Sequence, residues 1–221
     1  MYDKKLDMYK VNAPLTKCSY EIGRARAFSP GWLENESIWL HMEYKYLLEL
    51  LKSGLYEEYF ADLKKMGVPF LPYETYGRSP LENSSFLVSS ANFNEKIHGK
   101  GFVARLSGST AEFLQMWELM MNGAKLFTMQ DGVLAFRLAP AIPAYLVKDD
   151  GKIEATLFGK IKVVYDCGSK RDLIPGQYTV AKYELVFNDG SAETCEAAVV
   201  SGEAAQRIRD GKAAEIRVTI Q

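Results

Sequence analysis

Residues 80–123, PLENSSFLVSSANFNEKIHGKGFVARLSGSTAEFLQMWELMMNG, join two halves of different character. The stretch opens as a long polar segment and closes as a strongly apolar helix. Upstream of it the apolar residues recur at helical spacing, and downstream they alternate as in strands. This order makes the chain α+β.

The helix at the end of the stretch is expected over Thr110–Asn122, where Phe113, Leu114, Met116, Trp117, Leu119, Met120 and Met121 cover most of the circumference and Gly123 is the stop. Ser109 followed three residues on by Glu112 has the form of a capping box, each side chain satisfying a free backbone donor of the other. Ahead of it, Gly67–Gly108 shows no sustained period. It carries Pro69, Pro72, Pro80, Gly77, Gly99 and Gly101, with aromatics at Phe70, Tyr73, Tyr76, Phe86, Phe93 and Phe102 that argue against disorder. A packed loop lining a site is the expectation.

Further upstream, ENESIWLHMEYKYLLELLKS (34–53) places Ile38, Trp39, Met42, Tyr46, Leu47, Leu50 and Leu51 near helical spacing, with Leu40, Tyr44 and Leu48 on the other side. A helix apolar nearly all round belongs among other helices. A second helix, Leu55–Met66, turns Tyr56, Tyr59, Phe60 and Leu63 to one face and forms a helical hairpin with the first. Residues 1–33, punctuated by Pro14, Gly23, Pro30 and Gly31, read as largely irregular.

Downstream, LFTMQDGVLAFRLAP (126–140) reads as a hairpin turning at Asp131-Gly132, IEATLFGKIKVVYDC (153–167) alternates, a second hairpin turns around Asn188-Asp189-Gly190, and AEIRVTI (214–220) is a last strand. Regular short strands with Asp-Gly turns suggest an antiparallel β-sandwich. The expected organisation is therefore a helical region, 1–124, with a site loop at 67–109, followed by a sandwich, 125–221.

The 27 basic and 28 acidic residues leave a formal charge of -1, which favours a neutral substrate or a protein partner over nucleic acid. Cys18, Cys167 and Cys195 share no metal-type spacing, so neither a disulfide framework nor a zinc site is indicated. With no membrane-length apolar run and no hydrophobic signal region behind MYDKKLDMYK, the expectation is a cytoplasmic protein without a membrane partner.

Two groups of residues carry candidate chemistry. Ser107, Gly108, Ser109 and Thr110 either cap their helix or bind an anion there, because a helix N-terminus offers free N–H groups and a favourable dipole. Glu34, Asn35 and Glu36 at an expected helix start, and Arg78, Glu82, Asn83, His98 and Arg105 in the loop, mix acids, amides and basic groups with aromatics, as sugar sites do. Each also reads as helix-end charge or loop solvation. His41, on the apolar helix, reads as a core histidine. No nucleophile elbow, phosphate-binding P-loop or dinucleotide fingerprint is present.

The run YGRSPLENSSFLVSSANFNEKIHGKGFVARLSGSTAEFLQMWELMMNG (76–123), followed by LFTMQDGVLAFRLAPAIP (126–143), resembles the C-terminal part of the cellobiose phosphorylase family of inverting disaccharide phosphorylases. The segment 32–60 resembles the preceding helical hairpin, so the likeness spans residues 30–165. It implies the last helices of an (α/α)6 toroid followed by a β-sandwich, a disaccharide or oligosaccharide substrate, and inorganic phosphate as co-substrate with no other cofactor. It also implies phosphate contacts at Ser107, Gly108, Ser109 and Thr110. Where that family tends to have a phosphate-contacting histidine ahead of the hairpin's tryptophan, this chain is read as having Asn35 or its acidic neighbours; the two glutamates would repel phosphate, which opens hydrolase-like chemistry or an altered specificity beside phosphorolysis. The family's general acid, an upstream aspartate, falls on no residue here. The resemblance therefore implies a chain inactive alone, completed by an N-terminal barrel region or a second copy.

Two other functions stay open at this stage. One is a non-catalytic carbohydrate-binding or assembly module using Tyr145, Phe158, Tyr165, Tyr178, Tyr183 and Phe187, although strand alternation turns most of these inward. The other is a complete glycoside hydrolase-like enzyme built on Glu82, His98 and Arg105.

Overall fold

The computed structural model describes residues 1–103 and 107–221; Arg105 lies outside them. The chain is α+β and divides into two compact units, Met1–Trp117 and Glu118–Gln221.

The first unit starts with a short antiparallel pair, β1 (Tyr2–Asp3) and β2 (Met8–Tyr9), and two 3-10 turns at Tyr20–Ile22 and Arg24–Ala27. Next come β3 (Ile38–Trp39), α1 (Leu40–Lys52), α2 (Tyr56–Met66), α3 (Tyr73–Tyr76), β4 (Phe86–Leu87), β5 (Gly101–Phe102) and α4 (Ser107–Asn122).

The helix expected from Glu34 begins instead at Leu40. Leu33 and Glu36 have φ of 48° and 59°, in the left-handed region that a right-handed helix cannot use. Ile38 and Trp39 then pair with Leu87 and Phe86 in a strand, and the Leu40 N–H donates to the Ser85 carbonyl at 3.1 Å. A neighbouring strand thus satisfies a donor that a side-chain cap would otherwise take. The buried face of α1 is Leu40, Glu43, Tyr44, Leu47, Leu48 and Leu51, while Met42 is 50% exposed. This helix is therefore one-sided rather than buried all round. Its partner α2 buries Tyr59, Phe60, Leu63 and Met66, close to the expected face, and Asp62 accepts a 2.8 Å hydrogen bond from Tyr46 of α1.

The segment read as loop contains α3, two 3-10 turns and the central and one edge strand of an antiparallel sheet ordered β3-β4-β5. Two-residue strands leave no periodic trace in a sequence. Of the loop's aromatics, Phe86 and Phe102 pack with Trp32 at ring centroids 4.6–5.8 Å apart, while Tyr73 and Phe93 are exposed. The last helix begins at Ser107, so Ser109 lies inside its first turn, fully buried, and is not its cap. Glu112, which the capping box assigned to Ser109, faces Lys45 at 3.8 Å.

In the second unit β6 (Phe127–Gln130) and β7 (Val133–Phe136) form the expected hairpin; Asp131 and Gly132 both have positive φ, as a tight primed turn requires. The remaining elements are β8 (Lys152–Leu157), β9 (Ile161–Asp166), β10 (Val180–Phe187), β11 (Ala192–Cys195), β12 (Val200–Ser201), α5 (Glu203–Arg209) and β13 (Ala213–Ile220). The sheets are ordered β12-β7-β6 and β11-β10-β13-β9-β8. The larger sheet is mixed, because β13 is antiparallel to β10 but parallel to β9. The excursion through β10, β11 and α5 supplies the crossover that a parallel pair needs. Neither α5 nor the parallel pair was expected from alternation, which carries no strand direction.

The core of this unit includes Val163, Tyr165, Tyr183, Leu185, Ile216 and Val218. Tyr165 donates to the Met121 carbonyl at 2.6 Å and Tyr183 accepts from the Leu138 N–H at 3.0 Å, so both buried hydroxyls are satisfied. Among the described residues no helix is long and apolar enough to cross a membrane.

Candidate functional site

Two helix starts meet in the first unit. His41 is the second residue of α1, and a Cβ built on Gly108, in the first turn of α4, would lie 4.0 Å from the His41 Cβ. The imidazole is half-buried and packs edge-on against Trp39 with centroids 5.8 Å apart. Burial pushes its pKa down, the Lys45 ammonium adds to that, and Glu112 opposes it. A histidine below its ordinary range is neutral at pH 7 and presents one ring N–H as a donor. Gly108 and Thr110 are exposed. The α4 start with its positive dipole end, His41 and Lys45 together suit an anion, with Glu112 as a partial counterweight. The expected helix start at Glu34 had put His41 in mid-helix as a core residue, which hid it. A first-turn position shows only once β3 has claimed Ile38 and Trp39.

A second polar feature is a cleft of about 450 Å³ lined by Tyr76, Arg78, Ser79, Glu82, Lys100 and Phe102. Arg78 donates through Nε to the Gly101 carbonyl at 2.7 Å and places Nη1 at 3.3 Å from Glu82 Oε2. Behind this pair the Tyr76 hydroxyl donates to the Glu82 carbonyl and accepts from the Ser84 N–H at 3.0 Å. Burial raises the Tyr76 pKa and keeps that hydroxyl protonated. Lys100 was not singled out from the sequence, because a lone loop lysine carries no local pattern.

The other sequence candidates are drawn into the fold. Glu34, Asn35 and Glu36 form a turn stitched to the N-terminal segment instead of opening a helix. Glu34 pairs with Arg24, Glu36 accepts from Lys10 at 2.7 Å, and Asn35 Nδ2 donates to the Phe28 carbonyl at 2.6 Å. Each carboxylate therefore has a cation beside it. Asn83 accepts from the Tyr44 hydroxyl at 2.9 Å. His98 Nε2 lies 2.7 Å from the Asn92 carbonyl, with Lys5 Nζ 3.3 Å from Nδ1. Only Arg78 and Glu82 of that set share the cleft, and Arg105 lies outside the described residues.

In the second unit Tyr165, Tyr183 and Phe187 are buried, Tyr145 and Tyr178 are half-buried, and Phe158, in the turn after β8, is 44% exposed, so half of the six aromatics are sealed in the core. Among the described residues no group of three or more His, Cys, Asp or Glu side chains is placed to hold a metal ion. Neither protein-family models nor curated proteins give a match to this chain.

Proposed function

We propose that this chain is the C-terminal portion of a carbohydrate-active enzyme similar to the inverting disaccharide phosphorylases, its helices being the last of an (α/α)6 barrel and its strands a terminal β-sandwich. The observation that carries the reading is His41 standing beside Gly108 at the start of α4. In this reading phosphate oxygens accept from the first-turn N–H groups of α4 and from the neutral imidazole, close to the Lys45 charge. Phosphate then takes the place of the activated water in an inverting displacement. Glu34 and Glu36 each face a cation, which lowers their repulsion of phosphate and supports phosphorolysis in this reading. The acid that protonates the leaving oxygen is assigned to no residue of this chain; an N-terminal barrel region or a second copy completes the site. The sugar is assigned to the Arg78 and Glu82 cleft.

Titration of the full chain with inorganic phosphate, followed by ¹H–¹⁵N correlation spectra, tests the phosphate half. Saturable shifts are expected at Gly108, Ser109 and Thr110 and in the His41 ring, and His41→Ala is expected to weaken binding about tenfold, the loss of roughly one charge-assisted hydrogen bond. Unmoved Gly108 and His41 signals at phosphate concentrations on the order of tens of millimolar, where even weak sites fill, would sink the proposal.

A further inference from the structure

We infer that the cleft between Arg78 and Lys100 is a subsite for a small polyhydroxylated anion, a sugar acid or a sugar phosphate, and not for a neutral sugar. The inference rests on the sugar-site reading above and adds to it the charge of the ligand. A cleft of about 450 Å³ falls within the size range of small-ligand sites. Its polar groups are unequal in sign, since Arg78 and Lys100 bring two positive charges against one from Glu82.

The arginine is oriented before any ligand arrives. Its Nε is fixed on the Gly101 carbonyl at 2.7 Å, while its pairing with Glu82 is long, at 3.3 Å, and half-exposed, a geometry that contributes little by itself. Among the described residues its second terminal nitrogen, Nη2, makes no hydrogen bond. The lysine is likewise placed by packing: a Cβ at Gly77 would lie 3.6–3.9 Å from Lys100 Cδ, Cγ and Cε, so the stem runs along the bare glycine backbone. Its ammonium has neither an ion pair nor a hydrogen bond among the described residues.

Two cations held at one rim, one of them without a counter-charge, match an oxyanion. Carboxylate and phosphate both accept charge-assisted bonds from such a pair. Glu82 and Ser79 offer acceptors and a donor for hydroxyls, and Phe102 gives an apolar wall for the carbon chain. A side chain at Gly101 would strike Ser84 Oγ and the Tyr76 ring.

The test is a titration of the full chain with gluconate, with glucose 6-phosphate and with glucose, reading the Gly77 and Gly101 amides in ¹H–¹⁵N spectra. Saturable shifts with at least one anion, and none with glucose at the same concentration, are expected; the two anions separate a carboxylate ligand from a phosphate ligand. Lys100→Gln, which keeps the stem, should weaken the anion about tenfold, the equivalent of about 1.4 kcal/mol. Glucose binding as tightly as the anions, no movement of Gly77 and Gly101 with either anion, or an unchanged affinity in Lys100→Gln would each overturn the inference. The same spectra read Gly108 with inorganic phosphate. Shifts there without sugar-anion shifts overturn this inference alone, and the reverse pattern overturns the phosphate reading alone.

Discussion

Glu43 sits in the middle of the buried face of α1, 2% exposed, with Oε1 accepting from the Tyr9 N–H at 2.7 Å and Oε2 unpartnered. Burial pushes its pKa up to about 8, Asp62 adds to the rise, and the Tyr9 bond opposes it. A carboxyl near neutrality is what general acid catalysis asks for, but this one is sealed against the N-terminal strand pair, so its role is structural. The raised value means that the native state keeps a proton that the unfolded chain releases near 4.5. Its contribution to stability is complete below that pH, is lost as the pH climbs from about 4.5 to about 8, and is constant above. At about 1.4 kcal/mol per pKa unit the loss is on the order of a few kcal/mol. Glu43→Gln, neutral at all pH values and able to accept from Tyr9, should be more stable than wild type at pH 8 and close to it at pH 4 in urea denaturation. Parallel stability curves for the two proteins across this window would show that the carboxyl is hydrated. Helical spacing puts Glu43 in line with Leu40, Leu47 and Leu51 and Glu49 in line with Lys45 and Lys52, but that Tyr9 supplies the donor to Glu43 shows only in the packing.

At the scale of elements, the glycine turns separate local strain from crowding. Gly31 has φ of 76°, and a Cβ there would lie 2.7 Å from the Asn92 nitrogen and 3.0 Å from the Ser89 carbonyl oxygen. Gly159, in the β8–β9 turn, has φ of 69° with nothing within 4 Å. Alanine at Gly159 therefore meets backbone strain alone, about 1 kcal/mol, whereas alanine at Gly31 must also push the 89–92 backbone aside and should cost roughly 2–4 kcal/mol. Equal losses for the two variants in thermal unfolding would refute the crowding argument.

The same local logic explains which elements were legible. α2 and the hairpins at Asp131-Gly132 and Asn188-Gly190 follow from periodicity and turn chemistry within a few residues. β3, β4 and β5 do not, since Ile38 finds Leu87 and Phe86 finds Phe102 only across long separations.

Across the molecule as a whole, the N-terminal segment is what ties the first unit together. Asp3 accepts from the Ser90 N–H at 2.7 Å and the Ser90 hydroxyl at 2.8 Å, Val11 donates to the Ser37 carbonyl at 2.8 Å, and Lys10 and Asn12 hold Glu36 through side chain and backbone. Removal of residues 1–12 would leave Glu36, Glu43 and Ser90 short of partners, and a buried polar group left unsatisfied costs about 1–3 kcal/mol. The truncated chain should unfold at clearly lower temperature and be cut faster by proteases around residues 30–40; unchanged melting would show these bonds to be replaceable by water.

Read alone, the sequence settled the α+β class, the helical hairpin and the tight turns, because each is fixed by neighbours a turn or a few residues away, whereas it started α4 at Thr110 and the helix begins at Ser107. The tertiary structure decided where α1 starts, that His41 stands beside Gly108, that Arg78 and Lys100 share one cleft while Glu34 and Glu36 are spent on ion pairs, and that β13 runs parallel to β9. All of these depend on which distant segments pack together, and that is set by burial and backbone pairing summed over the fold, not by any local pattern of residues.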